Sequence, residues 1–189
     1  MNADIPGLRY VPNFLTQAEQ QALIEQIDAQ IWLTDLRRRV QHYGYKYDYR
    51  KRAIDYSMSL GHLPDWLLPT AEKVQRDGYL PVLAEQVVVN EYFPGQGISA
   101  HVDCEPCFGD SIISISLGSS CVMDFRQRED KRHVAMLLEP GSLLLMSGEA
   151  RYGWTHGIAP RYSDVHSGKV MQRERRISVT LRTVIIAVP

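Results

Sequence analysis

Cysteine is scarce in this chain and odd in number: Cys104, Cys107 and Cys121 are all there is. So few thiols argue against a disulfide framework and fit a reducing compartment, so "CEPC" (104–107) reads as a pair of free thiols. One leftover cysteine also cannot complete a four-sulfur zinc site. No apolar run approaches ~18 residues, which excludes a helical membrane span. "MNADIPGLRYVPNF" lacks the basic and apolar regions of a secretory signal, so a cytoplasmic protein with no membrane partner is expected. A large net charge is missing too. At −1, the chain is not a globally basic nucleic-acid binder, although a local basic patch is compatible with that value. There is no repeat, low-complexity tract or linker, and 189 residues suit a single monomeric domain spanning 1–189.

Two stretches have helical character. In "LTQAEQQALIEQIDAQIW", Thr16 followed three residues later by Glu19 is a capping box, and Leu23, Ile24, Ile27 and Ile31 fall on one helical face. "LPDWLLPTAEKVQRDGYLP" predicts a second helix closed near Gly78. From about residue 85 the pattern changes to short, branched, alternating runs, "QVVVNEY", "SIISISLGSSCVMDF", "HVAMLLEPGSLLLMSG", "YGWTHGI" and "RRISVTLR", with Gly or Pro turns between them. That pattern predicts antiparallel β structure, a sandwich or barrel. The fold class is therefore α+β, with helices leading and a β core at about 85–186.

The chemistry concentrates in "NEYFPGQGISAHVDCEP", residues 90–106. His101 and Asp103 are two apart, so on an extended segment they face the same way and can reach one ion. His156, in "YGWTHGI", lies near the end of another predicted strand. Two imidazoles and one carboxylate on one side of a metal leave positions open for a cosubstrate and O2, the facial arrangement of non-haem Fe(II) oxygenases. A lone HxD is weak, and His42, His62, His133 and His166 are read as ordinary surface or core histidines. "GQGISA" also fits GxGxxA, but a dinucleotide site needs a helix to follow, and "HVDCEPCFG" is not one.

What strengthens the HxD is "RRISVTLR". Arg176, Ser178, Thr180 and Arg182 share one strand face, opposite Ile177, Val179 and Leu181. An edge strand with its polar face in water would explain this. A guanidinium fork is equally suited to pair with a small dicarboxylate. Asn90 and Tyr92, again two apart, add an amide and a phenol beside the predicted metal.

The runs "NEYFPGQGISAHVD", "ISLGS", "PGSLLLMSGEARYGWTHGI" and "RISVTLR" together resemble the AlkB family of Fe(II)/2-oxoglutarate dioxygenases, over roughly residues 37–184. Its pattern is HxD, a distal His, then RxxxxxR, and Arg176 to Arg182 has that spacing. The resemblance implies a double-stranded β-helix (jelly roll) with N-terminal helices and a nucleotide-recognition lid at about 37–60. It implies Fe(II) on His101, Asp103 and His156, with O2 and 2-oxoglutarate as cosubstrates. Arg176 would pair with the distal carboxylate of 2-oxoglutarate, helped by Tyr92 and Ser178. Asn90 and Arg182 would lie near its chelating end, and the polar face of "RRISVTLR" would line the barrel.

The lid segment "RRRVQHYGYKYDYRKR" (37–52) is basic, whereas residues 1–36 carry Arg9 against five acids. Tyr43, Tyr45, Tyr47 and Tyr49 alternate, so an extended segment would put them on one face, either covering a sheet or stacking a base, with Arg38 and Arg39 on phosphates. The stacking reading is preferred, with nucleic acid, as alkylated DNA or RNA or as tRNA, the expected partner. Glu105 stands where repair members of the family carry an acid that contacts an exocyclic amine of the base. "VNEYFPGQGISAHVD" and "MSGEARYGWTHGI" are most similar to the branch that hydroxylates a modified wobble uridine in tRNA. Oxidative dealkylation of nucleobases and wobble-uridine hydroxylation are both carried forward. A dioxygenase of the same fold acting on protein or lipid, and a non-catalytic β-sandwich, are the competitors.

Overall fold

The capping box starts the first helix as its spacing requires. In the computed structural model, which describes residues 5–34, 37–46, 53–130 and 132–186, strand β1 (Leu8–Val11) leads to helix α1 (Gln17–Asp28). The Thr16 hydroxyl accepts from the Glu19 amide, and the Glu19 carboxylate accepts from the Thr16 amide at 2.7 Å. Leu23 and Ile27 are buried. Ile31, expected on the same face, lies past the helix end and is 87% exposed. The helix is capped at Ala29, and the chain turns so that Leu33 can bridge to Val40. Strand β2 (Val40–Tyr43) and helix α2 (Leu68–Arg76) follow, the latter closing before Gly78 at φ +79°.

Beyond residue 85 the described chain is mostly strand: β3 (Gln86–Tyr92), β4 (Ile98–His101), β5 (Phe108–Gly118), β6 (Cys121–Gln127), β7 (His133–Leu138) and β8 (Leu143–Met146). A short helix α3 (Gly148–Tyr152) precedes β9 (Trp154–Ile158), β10 (Ser163–His166), β11 (Lys169–Gln172) and β12 (Arg176–Val184). The larger antiparallel sheet has the order β1-β8-β5-β12-β3-β2, the smaller one β4-β9-β6-β7, and β10 pairs with β11 as a hairpin. Together they form the expected jelly roll. "GQGISA" runs through a turn into β4, with no helix after it.

Strand alternation divides the apolar residues into two cores. Val87, Val89, Ile113, Ile115, Leu117, Ile177, Val179 and Leu181 point from the larger sheet toward α1 and α2. Ile112, Leu144 and Met146 point the other way, meeting Met123, Phe125 and Trp154 of the smaller sheet. An ion network ties α1 to the sheet. Buried Glu91 on β3 takes Arg39 and Arg175, and Arg175 also pairs with Asp28 at the end of α1. Among the described residues no helix is long and apolar enough to cross a membrane.

Thr16→Ala removes the cap while leaving the sheets intact. Urea denaturation should show a loss of about 0.5–2 kcal/mol. An unchanged midpoint would mean that packing alone, and not the cap, fixes this helix end.

Candidate active site

β4 and β9 are antiparallel neighbours in which His101 and His156 are register partners, their ring centroids 4.5 Å apart. The bend after β4 brings Asp103 to the same point. The ligand atoms of His101, Asp103 and His156 all lie within 4.8 Å of one another. His101 Nδ1 lies 2.8 Å from the Ser99 carbonyl, which can accept but not donate, so Nδ1 carries the proton and Nε2 keeps its lone pair. Burial pushes His156 down to about 4, leaving it neutral at pH 7. Burial alone would raise the Asp103 carboxyl, but Arg182, His156 and His101 outweigh it and hold the group at about 2. Arg182 Nη2 is 3.1 Å from Asp103 Oδ1. The result is a carboxylate and two lone pairs converging on one point, a donor set for a divalent metal.

This cluster lines a cavity of about 620 Å³ between the two sheets, together with Asn90, Tyr92, Arg176, Ser178 and Arg182. The polar face of β12 is therefore turned inward and not into water. Arg176 is buried, its Nη2 donates to Ser116 Oγ at 2.9 Å, and its guanidinium carbon is 5.5 Å from the Tyr92 ring centre. Its Nε and Nη1, and Nε of Arg182, are buried with no hydrogen-bond partner among the described residues. Buried donors left unpaired are expensive, so these suit an anionic ligand. Ser178 shares a 3.0 Å hydrogen bond with Ser114.

The lid residues divide differently from the alternation argument. Arg38 reaches the cavity, where its Nε donates to Asn90 Oδ1 at 2.9 Å. Arg39 points to the other side, is committed to Glu91 and lies 4.9 Å from the Trp32 ring centre, so it is not the phosphate contact expected. Tyr43 is likewise a packing residue: it meets Trp66 edge-on, donates to Gln41 Oε1 at 2.8 Å, and burial raises its phenol to about 12. Tyr45 packs against the other core. The shared face fails because Gly44, at φ +74°, breaks the extended run. A Cβ there would stand 1.8 Å from the Glu85 carbonyl oxygen, so no other residue fits that bend. Tyr47 and Tyr49 lie outside the described residues.

Glu105 lies on the cavity wall, its carboxylate 3.3 Å from Arg128 Nη1. Cys104 and Cys107 are joined in a disulfide, correcting the free-thiol expectation. A separation of three residues within one turn brings their Cα atoms to 5.2 Å, inside bridging range.

A protein-family model described as "2OG-Fe(II) oxygenase superfamily" matches residues 7–182. The chain belongs to that superfamily. It is 39% identical over 204 residues to "Alkylated DNA repair protein ALKBH8 homolog" of Arabidopsis thaliana, covering 96% of this chain and 59% of that protein. It is 39% identical over 170 residues to mouse "tRNA (carboxymethyluridine(34)-5-O)-methyltransferase ALKBH8", covering 84% of this chain and 25% of that protein. The chain thus spans less than two thirds of the length of each of these relatives. The solved structure of OsALKBH1 matches with a TM-score of 0.67 over 94% of this chain and 98% of that one; at 16% identity the likeness concerns the fold. Within the superfamily the chain falls in the AlkB-like branch.

Fe(II) and 2-oxoglutarate fit the residues present: a two-histidine, one-carboxylate donor set beside buried arginines with unpaired donors. Two functional arginines were not apparent from sequence. Arg151 is buried and donates to the carbonyls of Asp103 at 2.9 Å and Cys104 at 3.2 Å, fixing the backbone that carries the ligand. Arg128 sits on the cavity wall within a charged hairpin that reads as a solvated turn. Ser116 was detectable, since "SIISISLG" alternates polar and apolar residues as "RISVTLR" does.

His156→Ala should leave the fold, as judged by circular dichroism, and weaken Co(II) or Mn(II) binding about a hundredfold or more, a loss beyond that of an outer-shell contact. Calorimetric titration showing unchanged metal affinity would remove His156 from the ligand set.

Proposed function

We propose that this protein is an Fe(II)/2-oxoglutarate-dependent dioxygenase that oxidises alkyl substituents on nucleobases, in the first place in oxidative dealkylation of alkylated DNA or RNA. One observation carries the reading: His101, Asp103 and His156 converge within 4.8 Å in the same cavity as the half-satisfied guanidinium of Arg176. In this reading the three residues hold iron. Arg176, steadied by Ser116 and stacked near Tyr92, takes the distal carboxylate of 2-oxoglutarate, with Ser178 beside it. Asn90 and Arg182 lie toward the chelating end. Bound iron supplies the oxidising chemistry, in which O2 and 2-oxoglutarate become succinate, CO2 and one hydroxyl placed on a substrate C–H.

The protein's own part is positioning and charge. Arg182 keeps Asp103 ionised in a buried site, and the Ser99 carbonyl sets the His101 tautomer. If the new hydroxyl lies on an N-alkyl carbon, the C–N bond breaks, the hydroxyl proton leaves, and an aldehyde departs as the base nitrogen is reprotonated. Glu105 and Arg128 on the wall offer an acceptor and a donor to the base that enters.

Hydroxylation of a modified wobble uridine in tRNA is the second reading. It is favoured by identity: 39% to the mouse protein named for carboxymethyluridine at position 34, against 29% to zebrafish "Probable RNA/DNA demethylase ALKBH6". The two readings are separated by product analysis. Methylated and etheno-modified oligonucleotides and modified tRNA are each incubated with protein, iron and 2-oxoglutarate. Aldehyde release with base restoration from the oligonucleotides is expected; a hydroxylated wobble nucleoside alone would select the second reading, and no change in either would refute both.

Arg176→Lys keeps the charge and loses the fork. Losing one charge-assisted hydrogen bond, ~1.5–3 kcal/mol, should raise KM for 2-oxoglutarate by about tenfold to a hundredfold, with metal affinity retained. An unchanged KM would free Arg176 from this role.

A further inference from the structure

Tyr162, between β9 and the β10–β11 hairpin, is 72% exposed, yet its surroundings hold it in place. Its carbonyl accepts from the Arg173 amide at 2.9 Å, and the Arg161 carbonyl accepts from the Gly95 amide at 3.1 Å. Its ring lies across Gly95: a Cβ there would stand 3.0 Å from the ring carbon Cζ. One side of the ring therefore rests on backbone and the other is open. Phe93, at 43% exposure, projects from the same turn as Gly95.

The position relative to the cavity follows from strand register. Ile98 and Ile158 are partners, and both line the cavity. The turn at 93–97 and the segment after Ile158 then pack together beside it, because Gly97 leaves room for the Ile158 carbonyl. Gln96 Nε2 donates to the Arg37 carbonyl at 2.9 Å, joining this flank to the arginine segment whose Arg38 lines the cavity. Tyr162 is six positions on from His156 and does not line the cavity, whose wall on this side ends at Ile98 and Ile158. A base stacked on Tyr162 is therefore not the one at the metal but one further along the strand.

The local charge is positive. The buried carboxylate of Asp164 is shared between Arg161 at 2.7 Å and Arg173 at 2.6 Å, so the trio keeps one positive charge. Exposed Arg37 and half-buried Arg38 add to it, with Glu174 the acid beside Phe93 and Gln96. A fixed aromatic face edged by guanidiniums is the arrangement that binds unpaired nucleotides.

We infer that this flank is a docking platform for single-stranded nucleic acid, with Tyr162 stacking a base neighbouring the one that enters the cavity and Arg37 and Arg161 meeting phosphates. The inference rests on the nucleic-acid reading above. The test uses the full chain with short single-stranded DNA and RNA oligonucleotides carrying 2-aminopurine at successive positions beside a methylated base. Stacking should quench the fluorophore at one position, and Tyr162→Ala should restore its emission. Tyr162→Ala and Tyr162→Leu should weaken affinity about fivefold to 150-fold, the range of one base–aromatic stack (1–3 kcal/mol at 1.4 kcal/mol per tenfold), while Tyr162→Trp should preserve it. Quenching and affinity untouched in Tyr162→Ala would overturn the platform and leave the nucleic-acid reading standing. If the unmodified protein binds neither DNA nor RNA, that reading falls and the platform with it.

Discussion

The cavity depends on one strand that carries two incompatible surfaces. β12 lies inside the larger sheet, paired from Arg176 to Arg182 with β3 on one side and β5 on the other. Ile177, Val179 and Leu181 enter the helix-backed core, and Arg176, Ser178, Thr180 and Arg182 enter the cavity. Because side chains alternate with period two, a slip of one residue would drive two guanidiniums into hydrocarbon and three aliphatic side chains into the cavity. The register is thus strongly specified by burial alone. The same ladders set Tyr92 opposite Arg176, and Asn90 and Ser116 opposite Ser178.

Such a site would be unstable if its charges did not offset one another. Asp103 is buried, and a lone buried carboxylate would take up a proton. The Arg182 guanidinium, 3.1 Å away, opposes this, and Arg151 donates to the backbone carbonyls of Asp103 and Cys104. With Arg38, Arg128, Arg176 and Arg182 against Asp103 and Glu105, the cavity wall carries an excess of positive charge. That excess suits a dianionic cosubstrate and an anionic polymer, and it is local, since the chain as a whole is at −1.

The His101–Asp103–His156 cluster was readable in the sequence because two of its members stand two apart at the end of β4, as the polar residues do along β12 at 176–182. The same rule failed at Tyr43 and Tyr45, because a single glycine at positive φ lies between them and sends the rings into different cores. The Cys104–Cys107 bridge was missed by counting thiols, an argument about compartments that says nothing about two cysteines in one turn. Arg151 left no periodic trace, since its role depends on where the chain after β4 passes α3. Local periodicity survives folding; contacts between distant loops are not encoded in any short pattern.

Two pairs of consecutive arginines show how the scaffold and the site are joined. Arg38 and Arg39 precede β2; Arg175 and Arg176 open β12. In each pair one guanidinium goes to the cavity side, Arg38 to Asn90 and Arg176 to Ser116. The other goes to the opposite face of the sheet and takes a share of Glu91, which is flanked on β3 by Asn90 and Tyr92. A buried carboxylate with two guanidiniums is well compensated, and losing either leaves it poorly paired in a site that water does not reach. Glu91 therefore clamps the two arginine segments to the strand whose neighbouring side chains face the cavity. The positions of Arg38 and Arg176 are set, one residue away, by an ion network that never touches the site.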